Sequence, residues 1–214
     1  LIAINAGRSD INIPFLGNVN IGLLYALIII PLGVTGATST YNFLAGYNGL
    51  EAGQGILLLS SLGLVAFFTH NAWLSMIAFC MVASLIAFLL YNYCPAQVFP
   101  GDVMTYAIGS LIAALAILGN FEKIALFFFI PYILETVLKS RGKLGKYSFG
   151  KPQKDGTLNE PYDKIYGLEH LAIRLLKKTG IRSTEKNVVF LLWGFQLLVI
   201  LIGFILFKDG IFIA

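Results

Sequence analysis

Asn187-Val-Val-Phe-Leu-Leu-Trp-Gly-Phe-Gln-Leu-Leu-Val-Ile-Leu-Ile-Gly-Phe-Ile-Leu-Phe207 runs for 21 residues without a charge. As a helix rising 1.5 Å per residue it is about 31 Å long, which matches a hydrocarbon core of about 30 Å. The same property extends outward through the chain, which is 57% hydrophobic and 12% charged over 214 residues, with a mean hydropathy of +0.81. Soluble domains carry roughly 25% charged residues, so this chain cannot coat a globule with charge. The expected fold class is all-α, a polytopic transmembrane helix bundle.

Hydropathy draws six spans, at about Ile21–Tyr41, Gly55–Thr69, Ala72–Tyr91, Val103–Leu118, Lys123–Leu138 and Asn187–Phe207. They divide the chain into a helix end and external loop (1–20), a five-span membrane domain (21–138), a basic loop (139–186) and a last span with its tail (187–214). Within 1–20, Gly7, Asp10, Pro14 and Gly17 surround the alternating Ile11-Asn12-Ile13, a pattern for a loop or short hairpin. The apolar opening Leu1–Ile4 reads as the tail of an earlier helix, so the chain is expected to be the later part of a longer protein. Cys80 lies mid-span and Cys94 beyond that span's end, too far apart for a bridge.

Charge sets the expected topology. Residues 139–186 hold twelve of the fifteen Lys and Arg with five acids, a net +7 that leaves the rest of the chain at −3. The positive-inside rule makes this loop cytoplasmic. Counting spans backwards puts Asp102 and the stretch Asn42–Gly55 on the cytoplasmic side and His70 outside. In the basic loop, Ile165, Leu168, Leu171, Ala172, Leu175 and Leu176 recur at helical spacing between Lys164, His170, Arg174, Lys177 and Lys178. That pattern predicts an amphipathic interfacial helix in the headgroup plane. Gly142–Pro161, rich in Gly, Lys and Pro, predicts an ordered loop or short hairpin.

Membrane packing leaves one stretch unexplained. Asn42–Gly55 holds two Asn, one Glu, one Gln and four Gly in fourteen residues between two apolar runs. Such a patch costs free energy unless it binds something. Asn42 and Asn48 fit helix capping or a turn, and equally fit a neutral oxygen ligand or a paired donor and acceptor. Asp102 fits an N-cap and a Mg²⁺ ligand alike. For Phe99 the default is core packing. Arg141, Lys143 and Lys146 suit a stop-transfer cluster, of which a few could grip phosphate. Glu135, one turn from that cluster, is expected to snorkel to it without a role of its own. His70 and His170 lack metal-ligand spacing. No Ser-His-Asp set, phosphate-binding Gly-Lys-Ser/Thr motif or dinucleotide fingerprint is present.

Asn42-Phe-Leu-Ala-Gly-Tyr-Asn-Gly-Leu-Glu-Ala-Gly-Gln54 closely resembles the signature of the UDP-N-acetylglucosamine–dolichyl-phosphate N-acetylglucosamine-phosphotransferases. These form the archaeal and eukaryotic branch of the polyprenyl-phosphate N-acetylhexosamine-1-phosphate transferase superfamily (glycosyltransferase 4 family). Tyr93-Cys-Pro-Ala-Gln-Val-Phe-Pro-Gly-Asp102, Ile117-Leu-Gly-Asn-Phe-Glu-Lys123 and Phe128-Phe-Ile-Pro131 follow in the same order. The resemblance implies an enzyme that moves N-acetylglucosamine-1-phosphate from UDP-N-acetylglucosamine to dolichyl or polyprenyl phosphate and releases UMP. It implies Mg²⁺ or Mn²⁺ on Asn42 and Asp102, and these two as the catalytic pair. It implies uracil pairing at Asn48, a nucleotide turn at Gly46, uracil stacking on Phe99 and pyrophosphate contacts at Arg141 and Lys143. Its partners are those substrates and the bilayer, with no nucleic acid, and a homodimer is one assembly open to it. Arg141-Gly142-Lys143 departs from the eukaryotic Arg-His-Arg triplet, and the family's adjacent aspartate pair does not occur in these residues. The short loops and that variant favour an archaeal plasma membrane over the endoplasmic reticulum, with the site cytoplasmic. The rival expectations are a transporter or channel subunit and a truncated, non-catalytic membrane fragment.

Overall fold

The computed structural model describes residues 10–13, 17–20 and 22–212. The apolar stub Leu1–Ile4 lies outside them. The expected hairpin is present, with β1 (Asp10–Ile13) and β2 (Gly17–Asn20) antiparallel and Ile11 opposite Val19.

Among the described residues, five helices are long and apolar enough to cross a bilayer: α1 (Tyr25–Phe43), α2 (Leu50–Phe68), α3 (Ala72–Asn92), α4 (Gly101–Gly119) and α8 (Glu185–Leu206). The protein is an integral membrane protein. The first helix opens with a π-helical turn over Tyr25–Ile29, just before Pro31, whose missing N–H leaves the normal ladder incomplete. The second helix is the buried centre, packed on α3, α4 and α8.

The span expected at Lys123–Leu138 is instead two helices, α5 (Glu122–Phe128) and α6 (Ile130–Arg141), broken at Phe129. Pro131 cannot donate to the carbonyl four residues back, and its ring crowds it. A break in an apolar bundle exposes backbone groups that need partners. Gln196 of α8 supplies one, donating from Nε2 to the Phe128 carbonyl at 2.9 Å. The two pieces together traverse the bundle. At one end Tyr25 donates to Glu122 (2.7 Å), and at the other Lys139 donates to the Phe43 carbonyl.

Beyond α6, strands β3 (Lys151–Pro152) and β4 (Leu158–Asn159) form the expected short ribbon in the basic loop. The amphipathic helix is α7 (Leu168–Lys178). Its stripe Leu168, Ala172, Ile173 and Leu176 is buried in the protein core, leaving Leu175 as its large exposed apolar side chain. The expected apolar face lying free in the headgroup plane is therefore corrected, because α6 and α8 cover it. His170, expected among the polar positions, is buried too. A short helix, α9 (Lys208–Phe212), follows α8.

Candidate active site

Gly109 decides how close two walls of the site come. A Cβ there would lie 2.7 Å from the Thr38 α-carbon and 2.8 Å from the Ala37 carbonyl, so α1 and α4 pack backbone to backbone. That contact carries the end of α1, with Asn42, to the start of α4, with Asp102. The Thr105 hydroxyl joins them, lying 2.8 Å from Asn42 Oδ1 and 3.1 Å from the Asp102 carbonyl. No side-chain bond caps the start of α4, so the N-cap reading of Asp102 is not realised and its carboxylate is left to the cavity.

The second wall is the turn between α1 and α2. The latter starts at Leu50, five residues before the expected Gly55, so Glu51 and Gln54 are buried helical residues. Residues Leu44–Gly49 form the turn, and three of its N–H groups have buried or half-buried side-chain acceptors. Gly46 N–H donates to Glu51 Oε1 (2.5 Å), Asn48 N–H to Glu185 Oε1 (2.6 Å) and Gly49 N–H to Asn92 Oδ1 (3.1 Å). Glu51 is itself tied to α1, since Tyr41 Oη donates to its carbonyl at 2.6 Å. Gln54 donates from Nε2 to the Leu192 carbonyl at 3.3 Å, fastening α2 to α8. Gly46 has φ +121° and an added Cβ would stand 2.0 Å from the Phe149 ring, so only glycine fits both the turn and its neighbour.

The third wall comes from the segment after α6. Phe149 meets the Tyr47 ring edge-on (6.0 Å between centroids), and Gly150 N–H donates to Tyr47 Oη at 2.7 Å. Burial pushes the Tyr47 hydroxyl up, so it stays neutral and accepts.

These walls enclose one cavity of about 430 Å³. Asn42, Gly46, Asn48, Phe99 and Asp102, drawn from two separate stretches of sequence, all line it. Phe99 stands at the mouth, 72% exposed, rather than packed in the core as the default for an aromatic would have it. Arg141 and Lys143 are exposed and lie outside this lining; Lys139 and Lys146 line it instead. Helical spacing explains the difference. Residues two apart on α6 point to different sides, whereas Glu135 and Lys139, four apart, share the inward one.

The remaining electrostatics are local. Glu160 receives Lys177 (2.8 Å) and Arg174 (3.2 Å), which outweigh its partial burial and hold its carboxyl at about 2. Those cations are thereby engaged away from the cavity. Lys146 lies 4.8 Å from the Tyr162 ring centroid while still lining the cavity. Burial lowers His170, whose Nδ1 accepts from Tyr166 N–H at 3.2 Å. Glu135 is fully buried, which overturns the expected snorkelling.

The described residues contain no group of three or more His, Cys, Asp or Glu poised to hold a metal. The cavity offers an amide oxygen, a carboxylate and a hydroxyl. That donor set suits a hard cation that keeps most of its shell for water and phosphate, and not one needing a full protein cage.

Sequence reasoning missed Tyr47, Asn92, Thr105, Lys139 and Glu185. Two left a trace. Asn92 is a lone amide closing an apolar span, and Glu185 begins the last span.

The family model described as glycosyl transferase family 4 matches residues 1–120, which include the turn and Asp102. A Saccharolobus solfataricus protein named "Putative UDP-N-acetylglucosamine--dolichyl-phosphate N-acetylglucosaminephosphotransferase" is 39% identical over 96% of this chain and 63% of its own length. A Sulfolobus acidocaldarius protein of the same name is 34% identical over 92% of this chain and 59% of its own. The phospho-N-acetylmuramoyl-pentapeptide-transferase of Listeria monocytogenes is 31% identical over 62% of this chain and 41% of its own. The chain thus spans about three-fifths of the length of the first two relatives.

Proposed function

This chain belongs to glycosyl transferase family 4, and on that premise we propose that its cavity is the nucleotide-sugar side of a phosphoglycosyl transferase site. The reaction moves N-acetylglucosamine-1-phosphate from UDP-N-acetylglucosamine to dolichyl or another polyprenyl phosphate. An oxygen of the lipid phosphate attacks the sugar-bearing phosphorus; the bridging P–O bond breaks and UMP leaves. The observation that carries this reading is the convergence of Asn42, Gly46, Asn48, Phe99 and Asp102 on one cavity with two lysines.

Each residue has a task its chemistry allows. Asn48 sits on a turn held by Glu185, so its amide can present a donor and an acceptor to uracil. Phe99, exposed at the mouth, offers a ring face to the base. Lys139 and Lys146 supply positive charge to the diphosphate. Asn42 and Asp102 would hold Mg²⁺ or Mn²⁺, which when bound neutralises phosphate charge and orients the leaving group. Thr105 keeps Asn42 and the start of α4 in register for that role. The positive charge of the basic loop supports a cytoplasmic face for the cavity, and an archaeal plasma membrane is the location this reading favours. A transporter would want its polar groups near the bilayer midplane; here they gather at one end of the bundle.

Asp102→Ala in the full-length protein tests the proposal. UMP release from UDP-N-acetylglucosamine and dolichyl phosphate is expected to fall at least about a hundredfold, the scale of losing one main electrostatic group. Undiminished release would overturn the role of Asp102.

A further inference from the structure

Behind the cavity wall, Glu135 has no part in the reaction so far described, yet it is fully buried. It stands one turn before Lys139 on α6. Its Oε2 accepts the Leu168 N–H at 2.6 Å, at the start of α7, where a helix concentrates partial positive charge. Its Oε1 lies 3.8 Å from the Lys139 ammonium and has no hydrogen-bond partner among the described residues.

Glu169, in the first turn of α7, is also fully buried, and neither of its oxygens has a hydrogen-bond partner among the described residues. Both carboxylates close on Gly167. A Cβ there would stand 2.9 Å from Glu169 Oε2 and 3.0 Å from Glu135 Oε1. Two ionised carboxylates held that close, away from water, repel strongly enough that one keeps its proton. Burial first, and the Glu135 charge second, holds the Glu169 carboxyl well above its ordinary range. Glu135 has the backbone donor and the lysine; Glu169 has neither. Glu169 is therefore the tighter holder of the proton, and Glu135 is the carboxyl that faces Lys139.

Lys139 is fastened at its tip. Its ammonium donates to the Phe43 carbonyl, lies 5.2 Å from the Phe43 ring centroid and lines the cavity beside Asn42. A lysine is a point charge on a flexible four-carbon stem, and it keeps one position only if several contacts hold it.

We propose that Glu135 is a positioning residue that holds the Lys139 ammonium, from behind the cavity wall, where the phosphates of the nucleotide sugar lie. This rests on the reading of the cavity as a nucleotide-sugar site. Glu135 does not touch substrate; its effect passes through Lys139 alone.

Glu135→Gln separates this role from a merely structural one. The amide oxygen still accepts from Leu168 N–H, so the start of α7 stays capped, while the charge facing Lys139 is gone. In the full-length protein, KM for UDP-N-acetylglucosamine is expected to rise about tenfold with kcat within about threefold, as for a lost ground-state contact. Lys139→Gln is expected to do the same, and the double variant to be no worse than Lys139→Gln alone. A wild-type KM in Glu135→Gln, or effects that multiply in the double variant, would overturn the proposal. Should Glu135→Gln fail to fold, Glu135→Asp keeps the charge but withdraws it by one methylene. It must then raise KM only when Lys139 is present, and a rise that persists in Lys139→Gln is equally fatal. Transfer by the wild-type protein is measured alongside. Its absence would remove the nucleotide-sugar reading itself, and with it this proposal, whereas normal transfer with a silent Glu135→Gln removes the positioning role only.

Discussion

The two sides of the cavity are built differently. On the side of Leu44–Gly49, the N–H groups of Gly46, Asn48 and Gly49 are bound by Glu51, Glu185 and Asn92, which come from α2, α8 and α3. On the side of Phe99–Asp102, Phe99 is 72% exposed and no side chain caps the helix that Asp102 begins. One side is fixed before any ligand arrives, so recognition of a flat, rigid base costs little ordering there. The other keeps a carboxylate and an aromatic face uncommitted, as groups that meet water, cation and phosphate must be.

If that contrast is right, breaking the fixed side should cost more than trimming the open one. Glu185 is the strongest test, because its carboxylate reaches the Asn48 N–H from 137 residues away in sequence. Glu185→Ala leaves a half-buried donor without its charged acceptor, a loss of about 1.5–3 kcal/mol. KM for the nucleotide sugar is expected to rise roughly tenfold to a hundredfold, measured by UMP release. A change below threefold would show that the turn holds itself. Phe99→Ala removes only a stacking face, worth about 0.5–1.5 kcal/mol. The expected rise is about two- to tenfold, with the thermal midpoint in detergent unchanged because the ring is largely in solvent. A fall in that midpoint would mean Phe99 packs after all.

The same contrast explains what could be read from sequence. Apolar runs are long-range averages, so the bundle, the hairpin and the basic loop were legible from composition and period. The resemblance likewise brought Asn42, Gly46, Asn48, Phe99 and Asp102 to one place. The fixed side was not legible, since Glu185, Asn92 and Lys139 act across 43 to 137 residues of separation. Nothing in a local pattern says that the acid opening the last span reaches back to a turn after the first. Two errors were also local readings of non-local facts. Glu135 looked free to snorkel to the stop-transfer cluster of Arg141, Lys143 and Lys146, and α7 looked free to enter the headgroup layer. In each case, packing against a distant helix decided the outcome. The break at Phe129 was written in Pro131, but only Gln196 on α8 shows how an apolar bundle tolerates it.

A pH dependence reads the two buried acids behind the cavity wall. Glu169 is the group whose proton the fold retains, with Glu135 and Lys139 of α6 and Glu51 of α2 acting on it. Its carboxyl is held well above the ordinary 4.5, so the folded protein binds this proton more tightly than the unfolded chain does. Below pH 4.5 both states carry it and its contribution to stability is complete. Above that, the unfolded chain releases the proton first, and stability falls with rising pH until the folded carboxyl also ionises. Each unit in that window is worth about 1.4 kcal/mol, or about 2–4 °C per kcal/mol in thermal midpoint for a chain of this size. Glu169→Gln carries no titrating proton, so its midpoint should decline less steeply between pH 5 and 8 than that of the wild type. Parallel slopes would place the retained proton elsewhere in the acid pair.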